Sequence, residues 1–314
     1  MTDEVQDQGR NGDQALAVTM LETEKVNPAT MEIDRMSALE MARAMNAEDA
    51  KVAQAVAEEL PQIARAIEES AARLRRGGRL IYAGAGTSGR LGMLDAVECP
   101  PTFNVSSEMV IGLLAGGPMA QSQAQEDQED SAEAGAADVA GLHVTADDVV
   151  VGIAASGRTP YALGALAEAN ARGALTIGIA CNRGIPLEDV ARIMIAPVVG
   201  PEVITGSTRL KAGTAQKMVL NMLSTGVMIM LGKTYGNLMI DVQATNVKLH
   251  LRALKAVQTV TGLDRETCEA LLQESGGEVK TAILVGKTKL TPGEARAKLA
   301  AHGNILRATL DDVL

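Results

Sequence analysis

The most constraining feature of the chain is a set of short, unbroken apolar runs that end in turns rich in glycine and hydroxyl residues. Arg79-Leu-Ile-Tyr-Ala83 leads into Gly84-Ala-Gly-Thr-Ser-Gly-Arg90, and Asp147-Asp-Val-Val-Val-Gly-Ile-Ala154 leads into Ala155-Ser-Gly-Arg-Thr-Pro160. Leu175-Thr-Ile-Gly-Ile-Ala180 and Ile193 to Val198 are further runs, and Val105 to Leu113 is a candidate fifth. None alternates apolar with polar residues, so as strands they are buried on both faces. Helical stretches lie between them, at Gly89–Val97, Ala120–Ala140, Pro160–Ala171 and Thr208–Leu231. Doubly buried strands separated by helices predict a doubly wound, parallel α/β sheet. In such sheets ligands bind beyond the carboxyl ends of the strands, which is where both Gly-rich turns fall.

The remainder of the chain sorts around this sheet. Residues 1–18 are rich in Gln, Asp, Asn and Gly and are expected to be a disordered tail. Helical patterns cover Ile33–Asn46 and Asp49 to about Arg75, the second broken or kinked at Pro61. A further helix spans Asp241–Val260, so the sheet domain is expected over residues 19–260. From residue 261 three short helical blocks, punctuated by Gly276, Gly277 and Pro292, predict a small helical bundle over 261–314.

Composition removes several classes of function. Only 1% of the 314 residues are aromatic (Tyr82, Phe103, Tyr161 and Tyr235), and the 39 acidic against 29 basic side chains give a net charge of −10. Base-stacking platforms need aromatic rings, and a phosphate backbone is repelled by this mean field, so no nucleic-acid partner is expected. A local pocket for one small phosphate is still allowed. The longest apolar stretch, Met218 to Leu231, is 14 residues long and contains Asn221, Ser224 and Thr225. A membrane span needs about 20, so a buried helix and no membrane association are expected. Three widely spaced cysteines without a CxxC, and no signal-peptide pattern, point to a cytoplasmic protein. No metal-ligand spacing occurs, so no metal is expected.

The chemistry-bearing residues cluster at the turns. Gly84–Gly89 satisfies G-x-G-x-x-G after a strand and before a helix, the dinucleotide pattern, but Thr87 and Ser88 add hydroxyl donors that pattern does not require. Glycine allows close backbone approach, and a helix N-terminus offers free N–H groups to an anion. Ser156, Gly157 and Thr159 repeat the design, so one phosphorylated small ligand explains both turns better than a dinucleotide; a tight turn without a ligand is the competing reading. Arg90 and Arg158 follow the turns and suit a phosphate, a carboxylate or an ordinary surface ion pair. Glu98 precedes Pro100 and Pro101, where the helix is expected to stop. A carboxylate at the negative end of a helix dipole favours its protonated form, which makes Glu98 either a proton donor or a solvated helix-end residue. Glu126, Glu129 and Asp130 share one helix face, and spacing alone reads them as solvated. A third polar loop, Pro201 to Thr214, carries Glu202, Ser207, Arg209 and Lys211. His250 is a lone histidine, and Cys99 and Cys181 read as small core residues.

Gly84–Arg90 and Ser156–Thr159 resemble the two phosphosugar-binding loops of the sugar isomerase (SIS) domain, with Ala154 in place of the serine that usually opens the second loop. Gly84-Ala-Gly-Thr-Ser-Gly-Arg-Leu-Gly92, Asp95-Ala-Val-Glu-Cys-Pro-Pro-Thr102, Val150-Val-Gly-Ile-Ala-Ala-Ser-Gly-Arg-Thr-Pro-Tyr161 and Leu210-Lys-Ala-Gly-Thr-Ala-Gln-Lys217 together resemble the N-acetylmuramic acid 6-phosphate etherase family. So do Asn221-Met-Leu-Ser-Thr-Gly226 and Gly236-Asn-Leu-Met239. The resemblance implies a flavodoxin-like SIS sheet and a cofactor-free lyase. Its substrate would be a phosphosugar whose D-lactyl ether is cleaved by elimination and hydration, in cell-wall amino sugar recycling. It also implies a homodimer. It assigns Glu98 as proton donor and Glu129 as second active-site carboxylate. Gly86, Thr87, Ser88, Arg90, Ser156, Gly157, Arg158, Thr159, Ser207 and Lys211 would bind substrate. The competing enzyme is an SIS-type isomerase with Glu202 as base; the non-catalytic competitor is a sugar-phosphate-sensing regulator.

Overall fold

The computed structural model describes residues 21–117, 120, 126–241 and 247–314, so the expected disordered tail lies outside the described residues. The chain divides into two compact units, Met1–Ala96 with Val110–Leu223, and Val97–Met109 with Ser224–Leu314.

In the first unit three single 3-10 turns (Glu22–Glu24, Pro28–Thr30 and Ile33–Arg35) precede three α-helices, α1 (Ala38–Asp49), α2 (Val52–Glu58) and α3 (Leu60–Leu74). Ser37 and Glu40 form a reciprocal capping box at the start of α1. Pro61 sits in the first turn of α3, where its missing N–H costs nothing, so it starts a helix instead of kinking one. Five strands follow, β1 (Leu80–Gly84), β2 (Val110–Leu114), β3 (Val149–Ile153), β4 (Leu175–Ile179) and β5 (Ile193–Ile195). All four pairings are parallel, in the order β2-β1-β3-β4-β5, with Leu80 beside both Val110 and Val149. The crossovers carry α4 (Gly86–Phe103), α5 (Glu126–Glu129), α6 (Ala132–Gly141), α7 (Pro160–Ala171) and α8 (Pro186–Val190), and α9 (Lys211–Met230) follows β5. Every residue of β1, β3 and β4 is buried, which is why these strands read as continuous apolar runs.

The strand order fixes where a ligand can enter. The chain steps from β1 out to β2 and then returns to the opposite side of β1 as β3. The loops leaving β1 and β3 therefore part in opposite directions, and a crevice opens between their carboxyl ends.

A segment before α1 is tied to the loops that follow β4 and β5. Asn182, after β4, donates to Thr23 Oγ1 (3.1 Å) and to the Ala155 carbonyl (2.9 Å). Asn27 donates to the Pro201 carbonyl (3.1 Å) and Thr30 to that of Val203 (3.0 Å). Thr23, Asn27, Thr30 and Asn182 are all buried.

The second unit holds a two-residue-per-strand hairpin, β6 (Thr234–Tyr235) and β7 (Leu238–Met239), and helices α10 (Val247–Thr261), α11 (Arg265–Glu274), α12 (Val279–Lys287), α13 (Pro292–Ala301) and α14 (Leu306–Val313). Three helical blocks were expected after residue 261; α14 is a fourth. Ala253, Leu254 and Val257 of α10 share a core with Leu272, Ile283, Leu299 and Leu310. The helix assigned to the sheet domain on sequence grounds is thus packed with the C-terminal helices. Asp241 ties the hairpin to α12 by accepting from Lys233 (2.9 Å) and Lys280 (3.0 Å). Among the described residues no helix is long and apolar enough to cross a membrane.

Candidate active site

The turn after β1 goes straight into helix. Gly86, at φ +52°, is the first residue of α4, so Thr87 and Ser88 lie in its first turn among N–H groups that have no helical partner. The turn after β3 is held by the Gly157 N–H on the Ala154 carbonyl (2.9 Å) and the Arg158 N–H on Ser156 Oγ (3.2 Å). Gly157 has φ +69°, and a Cβ there would stand 2.0 Å from Ile185 Cδ1, so both conformation and space demand glycine. Ser156, Arg158 and Thr159 are half-buried.

Glu129 joins the two turns. Its Oε1 accepts from Thr159 Oγ1 at 3.2 Å, and its Oε2 lies 4.0 Å from the point where a Gly86 Cβ would project. Spacing alone had read this residue as part of a solvated face. The structure makes it half-buried and sets its carboxylate over the crevice between β1 and β3.

Glu98 requires a correction. The helix was expected to stop there, yet α4 runs through Pro100 and Pro101 to Phe103. The two prolines remove N–H donors but not the helical path. Cys99 and Phe103, one turn apart, are both buried, and Asn104 closes the helix at φ +51° with its N–H on the Pro100 carbonyl (2.9 Å). Glu98 is therefore mid-helix and exposed, and the helix-end argument for a protonated carboxyl lapses. One turn earlier, buried Asp95 accepts from the Tyr82 hydroxyl and the Asn221 amide, both at 2.7 Å, anchoring α4 to β1 and α9.

Two basic residues are committed within the fold. Arg90 donates to the Ala120 carbonyl through Nε (3.1 Å) and Nη2 (2.9 Å). Lys211 is 1% exposed, and its ammonium lies 2.6 Å from Glu48 Oε2, so its charge faces Glu48 and not solvent. Burial alone would raise the Glu48 carboxyl, but hydrogen bonds from Lys211 and Lys51 overcome this and hold it at about 2. Arg158 keeps its Nε buried with no partner among the described residues. Ser207 is half-buried in the loop before α9.

Glu202, the base of the competing isomerase reading, is fully buried, and its two oxygens accept the N–H groups of Lys211 (3.0 Å) and Ala212 (2.9 Å). It caps α9. Burial pushes its carboxyl up, and the two amides only partly offset this. The Cys181 thiol is pushed up to about 12, first by burial and then by Glu202, which fits a core residue and not a nucleophile. His250 is exposed on α10.

Sequence reasoning missed three buried polar residues: Asn182 and Gln216, which touch the two turns, and Asp95, farther along α4. Asp95 and Gln216 do fall inside motifs quoted above, but their partners lie far away in sequence.

Models of three known domain families match the chain: the glucokinase regulatory protein N-terminal SIS domain over residues 62–170, the SIS domain over 131–226, and the C-terminal lid domain of glucokinase regulatory protein over 236–280. Curated relatives match nearly end to end. The N-acetylmuramic acid 6-phosphate etherase of Serratia proteamaculans is 56% identical, covering 92% of this chain and 98% of its own. That of Cronobacter sakazakii is 55% identical over the same shares, and that of Salmonella agona 54% identical over 93% and 98%. With the parallel sheet, its two hydroxyl-bearing turns and the carboxylate that joins them, this places the chain in the N-acetylmuramic acid 6-phosphate etherase family, a family of lyases built on the SIS domain.

Proposed function

We propose that this enzyme cleaves the D-lactyl ether of N-acetylmuramic acid 6-phosphate, giving N-acetylglucosamine 6-phosphate and D-lactate. The observation that carries the reading is Glu129, whose carboxylate meets Thr159 of one turn and the open edge of Gly86 of the other. A carboxylate at that place repels phosphate, so it serves the sugar carbons while the turns hold the phosphate by N–H and hydroxyl donors.

The chemistry follows from the substrate. Ring opening exposes an aldehyde at C1, which acidifies the proton on C2. A base removes that proton, and the electron pair expels the lactyl oxygen from C3. An alkoxide leaves poorly, so an acid protonates that oxygen as the bond breaks. Water then adds to the C2–C3 double bond, with its hydroxyl at C3 and a proton returned to C2. Glu98 acts as the proton donor, and Glu129 handles the proton at C2 or the opening of the ring. Thr87, Ser88 and Ser156 supply hydroxyls to the phosphate and sugar, Thr159 holds the Glu129 carboxylate in place, Gly86 and Gly157 allow close approach, and Arg158 adds a cation. The working form is a cytoplasmic homodimer.

The test is direct. Purified protein incubated with N-acetylmuramic acid 6-phosphate should release D-lactate; a ketose product would favour the isomerase instead. Glu98→Gln should retain phosphosugar binding and lose about 10²–10⁴-fold in kcat. Wild-type turnover in that variant would sink the assignment.

A further inference from the structure

Gln216 lies in the first turns of α9 and is fully buried, with its Oε1 3.0 Å from Ser88 Oγ. Written this way, Ser88 donates its only proton to Gln216, and Gln216 Nε2 is left buried without an acceptor among the described residues. Both consequences are unfavourable. A buried N–H group without a partner is rarer and costlier than an under-satisfied carbonyl oxygen. A serine that has spent its proton presents only lone pairs to the crevice, and a phosphate dianion has no proton to give it.

Turning the amide by 180° changes both. The oxygen and nitrogen of a glutamine side chain are nearly the same size, and their assignment follows the hydrogen-bond network. With Nε2 toward Ser88, the amide donates to Oγ, and the Ser88 proton is free to point into the first turn of α4, alongside the unpaired N–H groups there. The Ser88 hydroxyl then donates as those N–H groups do.

We propose that Gln216 is a positioning residue that sets the direction of the Ser88 hydroxyl proton, making Ser88 a donor to the substrate phosphate. This rests on the phosphosugar reading of the same site and adds a residue from a different element to it. Gln216 itself does not touch the substrate; it works through Ser88, which is 9% exposed.

The test is a double-mutant cycle on KM for N-acetylmuramic acid 6-phosphate. In Gln216→Glu the carboxylate can only accept, so it captures the Ser88 proton. KM should rise about 10–100-fold at about pH 8 with a much smaller change in kcat. The effect should shrink toward about pH 5.5, relative to wild type at the same pH, as the buried acid takes up a proton and can donate again. In a Ser88→Ala background the same substitution should change KM by less than about threefold, because there is no hydroxyl left to direct. If Gln216→Glu does not fold, Gln216→Met decides: KM should rise about 3–10-fold with Ser88 present and stay level without it. A KM effect of equal size in both backgrounds, or wild-type KM in both Gln216 variants, overturns the proposal. Failure of the etherase reading is seen separately, as wild-type protein that releases no D-lactate. The cycle is then read by calorimetric binding of N-acetylglucosamine 6-phosphate.

Discussion

Lys211→Met tests whether this lysine serves the fold or the ligand. Its ammonium sits 2.6 Å from Glu48 Oε2, and the two side chains are 1% and 5% exposed. Removing one partner of a buried pair leaves the other charge uncompensated, which costs about 3–5 kcal/mol. Here the loss should fall at the lower end, about 3 kcal/mol, because Glu48 keeps Lys51, whose side chain is 61% exposed and only weakly effective. That corresponds to a fall in Tm of roughly 6–12 °C for a unit of this size. The double variant Glu48→Leu/Lys211→Met removes both charges and should recover to within about 1 kcal/mol of wild type. The pH dependence carries a sign. The folded Glu48 carboxyl is held at about 2 against an ordinary value of 4.5. Its contribution is therefore complete above the ordinary value and is lost as the pH falls toward about 2. Lys211→Met should flatten that acid limb. The assay is denaturant unfolding by circular dichroism at several pH values. A single variant costing less than about 1 kcal/mol, or a double variant no more stable than the single, would refute the reasoning.

Three further outcomes follow from packing and hydrogen bonding. Gly89→Ala would set a Cβ 2.4 Å from the Gly84 carbonyl oxygen and 2.5 Å from Leu114 Cδ1, pushing the first turn of α4 off β1. It should lose about 1–3 kcal/mol in denaturant unfolding and about 10²-fold in kcat/KM for lactate release. Gly157→Ala should raise KM more than it lowers kcat, since it distorts the second turn at φ +69° and strikes Ile185; an unchanged KM in steady-state kinetics would contradict this. Asp95→Ala strips a buried acceptor from Tyr82 and Asn221 and should cost roughly 2–4 kcal/mol by thermal or chemical unfolding, whereas Asp95→Asn, which can still accept one of the two, should cost less.

Much of the site was legible because its signals are local. An apolar run, a glycine turn and a hydroxyl pair follow one another within about ten residues, and parallel-sheet topology then fixes the end of the sheet at which they act. Pro160 opening α7 was equally local. The cases that misled were those where a neighbour distant in sequence decides. Pro100 and Pro101 predicted a helix end, but packing of Cys99 and Phe103 and the Asn104 cap carry α4 past them.

By itself, then, the sequence determined the sheet class and the two donor turns, since burial on both faces and the need for glycine at a positive φ are written in single residues and short runs. Only the tertiary structure decided which charges meet. It lifted Glu129 out of an acidic run by bringing Thr159 to it, 30 residues on. It withdrew Lys211 from solvent by pairing it with Glu48 across 163 residues. It set Gln216 on Ser88 across 128. The physical reason is the same in each case. A polar group's role depends on its desolvation and its partner, and both are properties of the folded neighbourhood, not of the residue.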